Sequence, residues 1–335
     1  MLTFTLRRLM LAIPTLLLIS LVIFLIVDLA PGSPASEIPL TVPPDVRAKI
    51  LEALGVNEPL YVRYLLWLKQ FFWVEPLNGF DAIFGTTYAE GMQRIISYQS
   101  RSPVFVQIGE RLPQTLTVIG TAYLVGVLIA LPIGIYSAYR QYSLFDQAGT
   151  LFAMIGFSVP TFFSGTVFII VFAVWLGWFP TKYDTTLQVT DWESFLRQLR
   201  QMAMPVMVLG LANAAAISRY MRSSMLENMG QDYVRTARAK GMPERTVVLK
   251  HVLRNSLIPV VTVIALGIPS IFGGAIITEN LFGVNGIGSQ LIQAIRGNDL
   301  PTVQTLAFIF AILIVLFNLI ADLLYGMLDP RIRYD

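Results

Sequence analysis

An all-α integral membrane protein that crosses the bilayer six times is what this sequence predicts, and three observations predict it. The chain of 335 residues is 55% hydrophobic and only 13% charged, where soluble chains average about 25% charged. Its mean hydropathy is +0.65. Six stretches long enough for a helix to cross the hydrocarbon core carry no charge: 9–27, 112–139, 147–181, 201–218, 255–278 and 300–321.

Taken in order, the first span follows Arg7 and Arg8, which makes it look like a secretory signal. Its apolar run is longer than the roughly 7–15 residues of a signal core, so a retained anchor over 9–30 is expected. Residues 31–111 then form an enlarged loop region, and 112–328 hold the five remaining spans. The stretch 147–181 is too long for one straight helix; GWFPT (177–181) carries the Gly and Pro that end helices. The stretch 201–218 is short, so its helix is expected to run past Arg219 towards Met225. No cysteine is present, which excludes disulfides, thiolate metal sites and cysteine nucleophiles.

Charge predicts the orientation. With residues 1–8 inside, the inner segments 1–8, 140–146, 219–254 and 329–335 hold 13 Lys and Arg against 6 acids. The short loops 182–200 and 279–299 hold three and one basic residues. Lys and Arg near span ends are retained inside, so both termini are expected in the cytoplasm.

One basic segment has a shape as well as a charge. Residues 235–259 read RTARAKGMPERTVVLKHVLRNSLIP, with Arg235, Arg238, Lys240, Arg245, Lys250, His251 and Arg254. A helix over 226–240 is predicted to stop at Gly241, the residue type favoured just past a helix end. Pro243 fits the first position of a second helix, with Glu244 beside it at the positive dipole end. Val248 with Val252, and Leu249 with Leu253, mark an apolar stripe. The expectation is helix, sharp bend, short amphipathic helix, then the fifth span, together a coupling loop at 226–256. Topology alone needs no such elbow; a docking surface does.

Here the segment resembles the cytoplasmic coupling loop of ATP-binding-cassette import permeases. Ala237 and Gly241 match the Ala-x-x-x-Gly part of that loop's pattern, while Arg235 and Thr236 stand where a Glu and the first Ala would be. The ARAKG run and the following HVLRNSLIP are similar to the dipeptide/oligopeptide (peptide/nickel) branch. So are RRLMLAIPTLLLISLVIFLIVDLAPGSP (7–34), GVNEPLYVRYLLWL (55–68), RLPQTL (111–116), VPTFFSG (159–165), LGWFPT (176–181), GGAIITENLFGVNGIG (273–288) and NLIADLLYGMLDPRIRY (318–334), in order along the chain. Residues 71–100 depart from the family as an enlargement of the first outer loop.

The resemblance implies a permease subunit of an ATP-driven importer in the bacterial plasma (inner) membrane. Its expected partners are a second homologous permease, two ATPase subunits, an external substrate-binding protein and membrane lipid, with no nucleic acid. ATP and Mg would be bound by the ATPases. In agreement, none of the five lysines follows a glycine as a P-loop requires, so no cofactor and no enzymatic activity is expected of this chain. Family members handle dipeptides, oligopeptides, nickel complexes and some oligosaccharides, and one chain does not choose among them.

Other residues carry two readings each. Asp28, at a span edge, is expected to be a solvated cap. Asn318 and Asp322, one turn apart in span six, line the pathway or bond between helices, the second being expected. GIPSIFGGA (267–275), with Pro269, Gly273 and Gly274, reads equally as pathway or partner interface and as close helix packing. Tyr64, Trp67 and Phe71 belong to an amphipathic segment (59–73) expected at the membrane interface; contact with the binding protein is the sharper alternative. His251 has no second ligand at metal spacing and is read as a surface residue. An integral membrane enzyme would need a clustered acid, base or nucleophile, which is not seen. A secondary transporter or channel would carry buried charges for ion coupling, and the spans hold almost none.

Overall fold

The computed structural model describes residues 2–29, 43–45, 58–269, 271 and 275–328, with side chains for all of these except 2–5 and 325–328. Among the described residues the only β pairing is one isolated bridge, Ile96 with Pro103. The helices are α1 (Leu2–Asp28), α2 (60–84), α3 (Val104–Tyr139), α4 (Leu144–Ser158), α5 (Thr161–Trp175), α6 (Trp192–Met229), α7 (Asp232–Ala239), α8 (Glu244–Gly267), α9 (Ile276–Phe282), α10 (Ile287–Arg296) and α11 (Leu300–Leu328). Five of them, α1, α3, α6, α8 and α11, are each long and apolar enough to cross a membrane. The pair α4 and α5, bent by 103°, is long and apolar enough to make a sixth if the two are counted as one span. The break falls at Val159–Pro160, because the residue before a proline is pushed out of helical geometry; Val159 is extended (φ −87°, ψ 122°). The loop expected at GWFPT is present as well, since α5 ends at Trp175.

The chain divides into two compact units. The first comprises 114–288 with 1–10 and 313–335. Its centre is the α3–α6 pair, which packs backbone against backbone. A Cβ on Gly126 would come within 2.9 Å of the Gly210 carbonyl, and one on Gly134 within 2.7 Å of the Ser218 carbonyl. Small residues permit that approach, as is general between membrane helices. Helix α6 opens on a capping box: the Asp191 carboxylate accepts from Ser194 N at 2.7 Å, and Ser194 Oγ accepts from Asp191 N at 3.0 Å. At 38 residues it is about 57 Å long. The predicted extension past Arg219 is there, and a further one precedes residue 201. A second anchor in this unit is Glu279, 1% exposed, which accepts from Thr115 Oγ1 at 2.9 Å.

The second unit comprises 11–113 with 289–312. Aromatic rings fill its core: Trp67 lies 5.2 Å from Phe308, Phe71 4.9 Å from Phe308, and Phe24 5.3 Å from Tyr64. Two buried carboxylates organise the segment 71–100. Glu75 accepts from Arg94 Nη2 at 2.7 Å and from Ile95 N at 3.0 Å. Asp299 accepts from Ser97 Oγ, from Tyr98 N at 2.8 Å and from Thr302 Oγ1 at 2.7 Å. Burial, with the Asp299 charge next, pushes the Tyr98 phenol up to about 12.

Three expectations are corrected here. Trp67 and Phe71 are 5% and 7% exposed, packed inside this unit, and Tyr64 Oη bonds with Ser20 Oγ at 2.8 Å. They form a core instead of a contact surface; the outward positions of the same helix are Tyr61, Leu65, Phe72 and Trp73. Asp28 is no solvated cap, because Arg63 pairs with it at 2.6 Å. The helix over 226–240 is two helices: α6 stops at Met229, Gln231 is extended (ψ 150°), and α7 begins at Asp232.

Candidate functional site

The basic segment folds as an elbow in which every bend has a local cause. Helix α7 lays Val234 and Ala237, 0% and 5% exposed, onto Met221, Met225, Val247 and Val252. Burying one such Val contributes roughly 1.5–3 kcal/mol. Its other face is polar: Arg235, Thr236, Arg238 and Lys240 are exposed. The helix ends in a complete Schellman turn. Gly241 N bonds to the Arg238 carbonyl at 2.9 Å and Met242 N to the Ala237 carbonyl at 3.4 Å. Gly241 has φ +72°, a region that costs an L side chain roughly 1–2 kcal/mol. Met242 tucks against the same core.

Beyond the turn, Pro243 is the N-cap of α8, one position earlier than the sequence suggests. It has φ −58° and ψ 137°, and Thr246 N bonds to its carbonyl at 2.8 Å. Glu244 does more than meet a helix dipole: it closes the bend by a two-point ion pair. Arg238 Nη2 donates to Oε1 at 2.7 Å and Arg238 Nε to Oε2 at 3.1 Å. That carboxylate raises the Arg238 guanidinium above its ordinary value. Both side chains are 43% exposed, so the pair contributes at most about 1 kcal/mol to stability and acts chiefly on geometry.

No separate short helix precedes the fifth span. Helix α8 runs unbroken from Glu244 to Gly267, with a π-helical stretch at Val247–Val252. The extra residue of that stretch shifts the register. The buried stripe is therefore Val247, Val248 and Val252, while Leu249 is 47% exposed. Arg245, Lys250 and Arg254 face outward, and His251 is half-buried with Nε2 unbonded. Ala237, 5% exposed, packs into this chain's own core.

Two devices at the base of the elbow escaped the sequence reading. Ser224 Oγ donates to the Ser256 carbonyl at 2.9 Å, while the single Ser256 Oγ proton is shared between the Val252 carbonyl at 2.9 Å and the Ser224 carbonyl at 3.2 Å. This buried pair staples α6 to α8. Arg222 donates through Nε and Nη2 to Asp146 at 2.6 and 2.8 Å, fixing the start of α4 to α6. Neither staple has a sequence signal, because the partners are 32 and 76 positions apart.

The remaining candidates are dispersed. Asp322 pairs with Arg8 at 2.8 Å, an interhelical bond as expected; Asn318 is exposed on the same helix and Pro269 half-buried. Gly273 and Gly274 lie outside the described residues. Among the described residues no group of His, Cys, Asp and Glu could hold a metal.

Comparison with known proteins gives consistent matches. Residues 130–334 match the family described as "binding-protein-dependent transport system inner membrane component", and residues 1–119 match its N-terminal companion. The chain is 38% identical over 338 residues to the oligopeptide transport system permease protein AppB of Bacillus subtilis, covering all of both chains. It is 35% identical over 358 residues to the dipeptide permease protein DppB of Escherichia coli K12, covering 100% of this chain and 99% of that one. It is 35% identical over 338 residues to the glutathione permease protein GsiC of Salmonella choleraesuis, over the full length of both. Among solved structures, an amino acid ABC transporter crystallised with histidines matches with a TM-score of 0.50 at 14% identity, over 67% of this chain and 94% of that one; that likeness concerns the fold alone.

Proposed function

Because this chain belongs to the family of binding-protein-dependent transport inner membrane components, we propose that it lines half of an importer's path for peptides or peptide-like solutes and is driven through the 226–256 elbow by separate ATPases. The substrate class is supported by relatives named for oligopeptide, dipeptide and glutathione transport. A second homologous permease supplies the other half of the path, and an external binding protein delivers the solute. Two ATPase subunits hold ATP and Mg, and this chain does no hydrolysis. Both termini face the cytoplasm of a bacterium, as does the elbow.

One observation carries this reading: α7 offers an exposed basic face while its other face is locked into the core that also holds the start of α8. A subunit that grips α7 moves a rigid body. The Schellman turn and the Arg238–Glu244 pair brace the joint between α7 and α8, and the Ser224–Ser256 bond ties α8 to α6. Since α8 continues to Gly267, a push on the elbow reaches about 36 Å along one helix.

The test is a mild-detergent pull-down of the tagged chain with its native partners, beside Gly241→Asp. A second permease and P-loop ATPases are expected with the wild type, the ATPases being lost from the variant. Solute uptake into proteoliposomes is expected to fall roughly tenfold, the effect of losing about 1.4 kcal/mol of coupling. Wild-type uptake by the variant would overturn the coupling role. Recovery of the chain alone would turn attention to a secondary transporter or channel.

A further inference from the structure

A cleft of about 330 Å³ lies between α3, α4 and α6, within one unit of the chain. It holds two cations, Arg219 and Arg222, and no acidic residue lines it. Arg222 is neutralised by Asp146. Arg219 makes no ion pair with any described residue; its guanidinium lies 4.7 Å over the Phe157 ring. Deeper in the cleft is Ser137. It is only 2% exposed, yet its Oγ has no hydrogen-bond partner. A buried hydroxyl left unpaired calls for an explanation, commonly a missing ligand or water. Gly149 lies against that hydroxyl: a Cβ there would come within 3.2 Å of it.

Arg219 is the first charge after the apolar stretch 201–218, so the cleft opens at the depth of the lipid headgroups. Its remaining walls are mainly apolar, and Leu151, Met154 and Ile155 continue outward along α4, each more than half exposed. Arginine forks suit phosphate oxygens, and basic pockets between membrane helices take anionic headgroups.

We propose that this cleft binds the phosphate of an anionic phospholipid. Arg219 and the outer edge of Arg222 hold the phosphate oxygens, Ser137 Oγ donates to a headgroup or ester oxygen, and an acyl chain covers the exposed flank of α4. A free phosphate offers the same oxyanion without the tail. The apolar walls favour the lipid.

The test uses the full chain co-purified with its partners, stripped of lipid, and titrated under native mass spectrometry with phosphatidylglycerol, phosphatidylcholine or inorganic phosphate. Phosphatidylglycerol is expected to bind at least roughly tenfold more tightly than phosphatidylcholine. Arg219→Gln should lower that affinity roughly tenfold, Ser137→Ala by a few-fold, and Arg219→Lys should retain most of it. Equal affinity for the two lipids, or no response to Arg219→Gln and Ser137→Ala, would overturn the proposal; so would a cleft filled by the second chain, which gives that same indifference. Binding of inorganic phosphate without lipid, lost in Arg219→Gln, would assign the oxyanion to solution and remove the lipid.

Discussion

The elbow and the segment 75–100 solve opposite problems with the same residue types. The elbow keeps its charges outside and its aliphatics inside: Val234, Val247 and Val252 are fully buried while Arg235, Lys240 and Arg245 face outward. The segment 75–100 is held by two buried carboxylates, its own Glu75 and the distant Asp299, and leaves Phe80, Ile83, Phe84 and Tyr88 exposed. Buried, fully bonded carboxylates fix a loop in one geometry, because each lost bond leaves an unsatisfied group. An exposed ion pair such as Arg238–Glu244 fixes a bend cheaply and stays available to a partner. The segment 75–100 is built to be held still; the elbow has the form that the gripping and movement proposed for it require.

Breaking the aromatic core beside the segment 75–100 should have the larger effect on folding. Trp67→Ala removes a ring packed on Phe24, Phe71 and Phe308 and is expected to cost about 4 kcal/mol, read by thermal unfolding in detergent. Trp73→Ala, at a position 59% exposed, should cost under about 0.5 kcal/mol. Equal effects would return Trp67 to the surface role that the sequence suggested.

In the elbow, two glycines separate conformation from contact. Gly241→Ala should cost about 1–2 kcal/mol because φ is +72° there. Gly230→Ala, at φ −81°, should be neutral or stabilise by up to about 1 kcal/mol. Chemical denaturation of the pair checks the sign of each.

Arg238→Ala should change stability by no more than about 1 kcal/mol. If the elbow is a docking surface, the same change should weaken ATPase retention in pull-downs far more than it weakens the fold, and increasingly so with salt.

The smallest effect concerns pH. Asp81 accepts from Thr86 and from the amides of Tyr88 and Ala89, and these bonds, Thr86 first, hold its carboxyl below the ordinary 3.8. A lowered folded value means the turn's contribution is full above 3.8 and is lost as pH falls through the lower value. The protection factor of the Ala89 amide should drop only in that acid window, and Asp81→Asn should abolish the pH dependence.

Much of the elbow was legible because its signals are local. Gly241, Pro243 and the basic run act over a few residues, and residues that sense their own backbone announce themselves in order. The break at Gly230–Gln231 and the π-helical shift at Val247–Val252 were missed, since a continuous helical pattern runs through both. Trp67 and Phe71 were misplaced for a different reason. An aromatic stripe suits a membrane surface and a protein core equally, and only the arrival of Phe24 and Phe308 from distant positions decides. The Ser224–Ser256 staple joins a hydroxyl to a backbone carbonyl 32 positions away, and nothing next to either serine announces it.

The bend at Val159–Pro160 bears on the chain's life before assembly. Lipid offers no hydrogen bonds, so the open backbone ends at such a break must be covered by protein or reached by water. Around it Phe157, Phe162 and Phe163 are each more than half exposed, an apolar face that lipid or a neighbouring chain would cover. If the second permease proposed above is that cover, the chain synthesised alone leaves this face open to membrane proteases. Its half-life in the cell should lengthen several-fold when a matching permease is made alongside it, which pulse-chase labelling would measure, and the bend would then ration how many unpaired copies a membrane keeps.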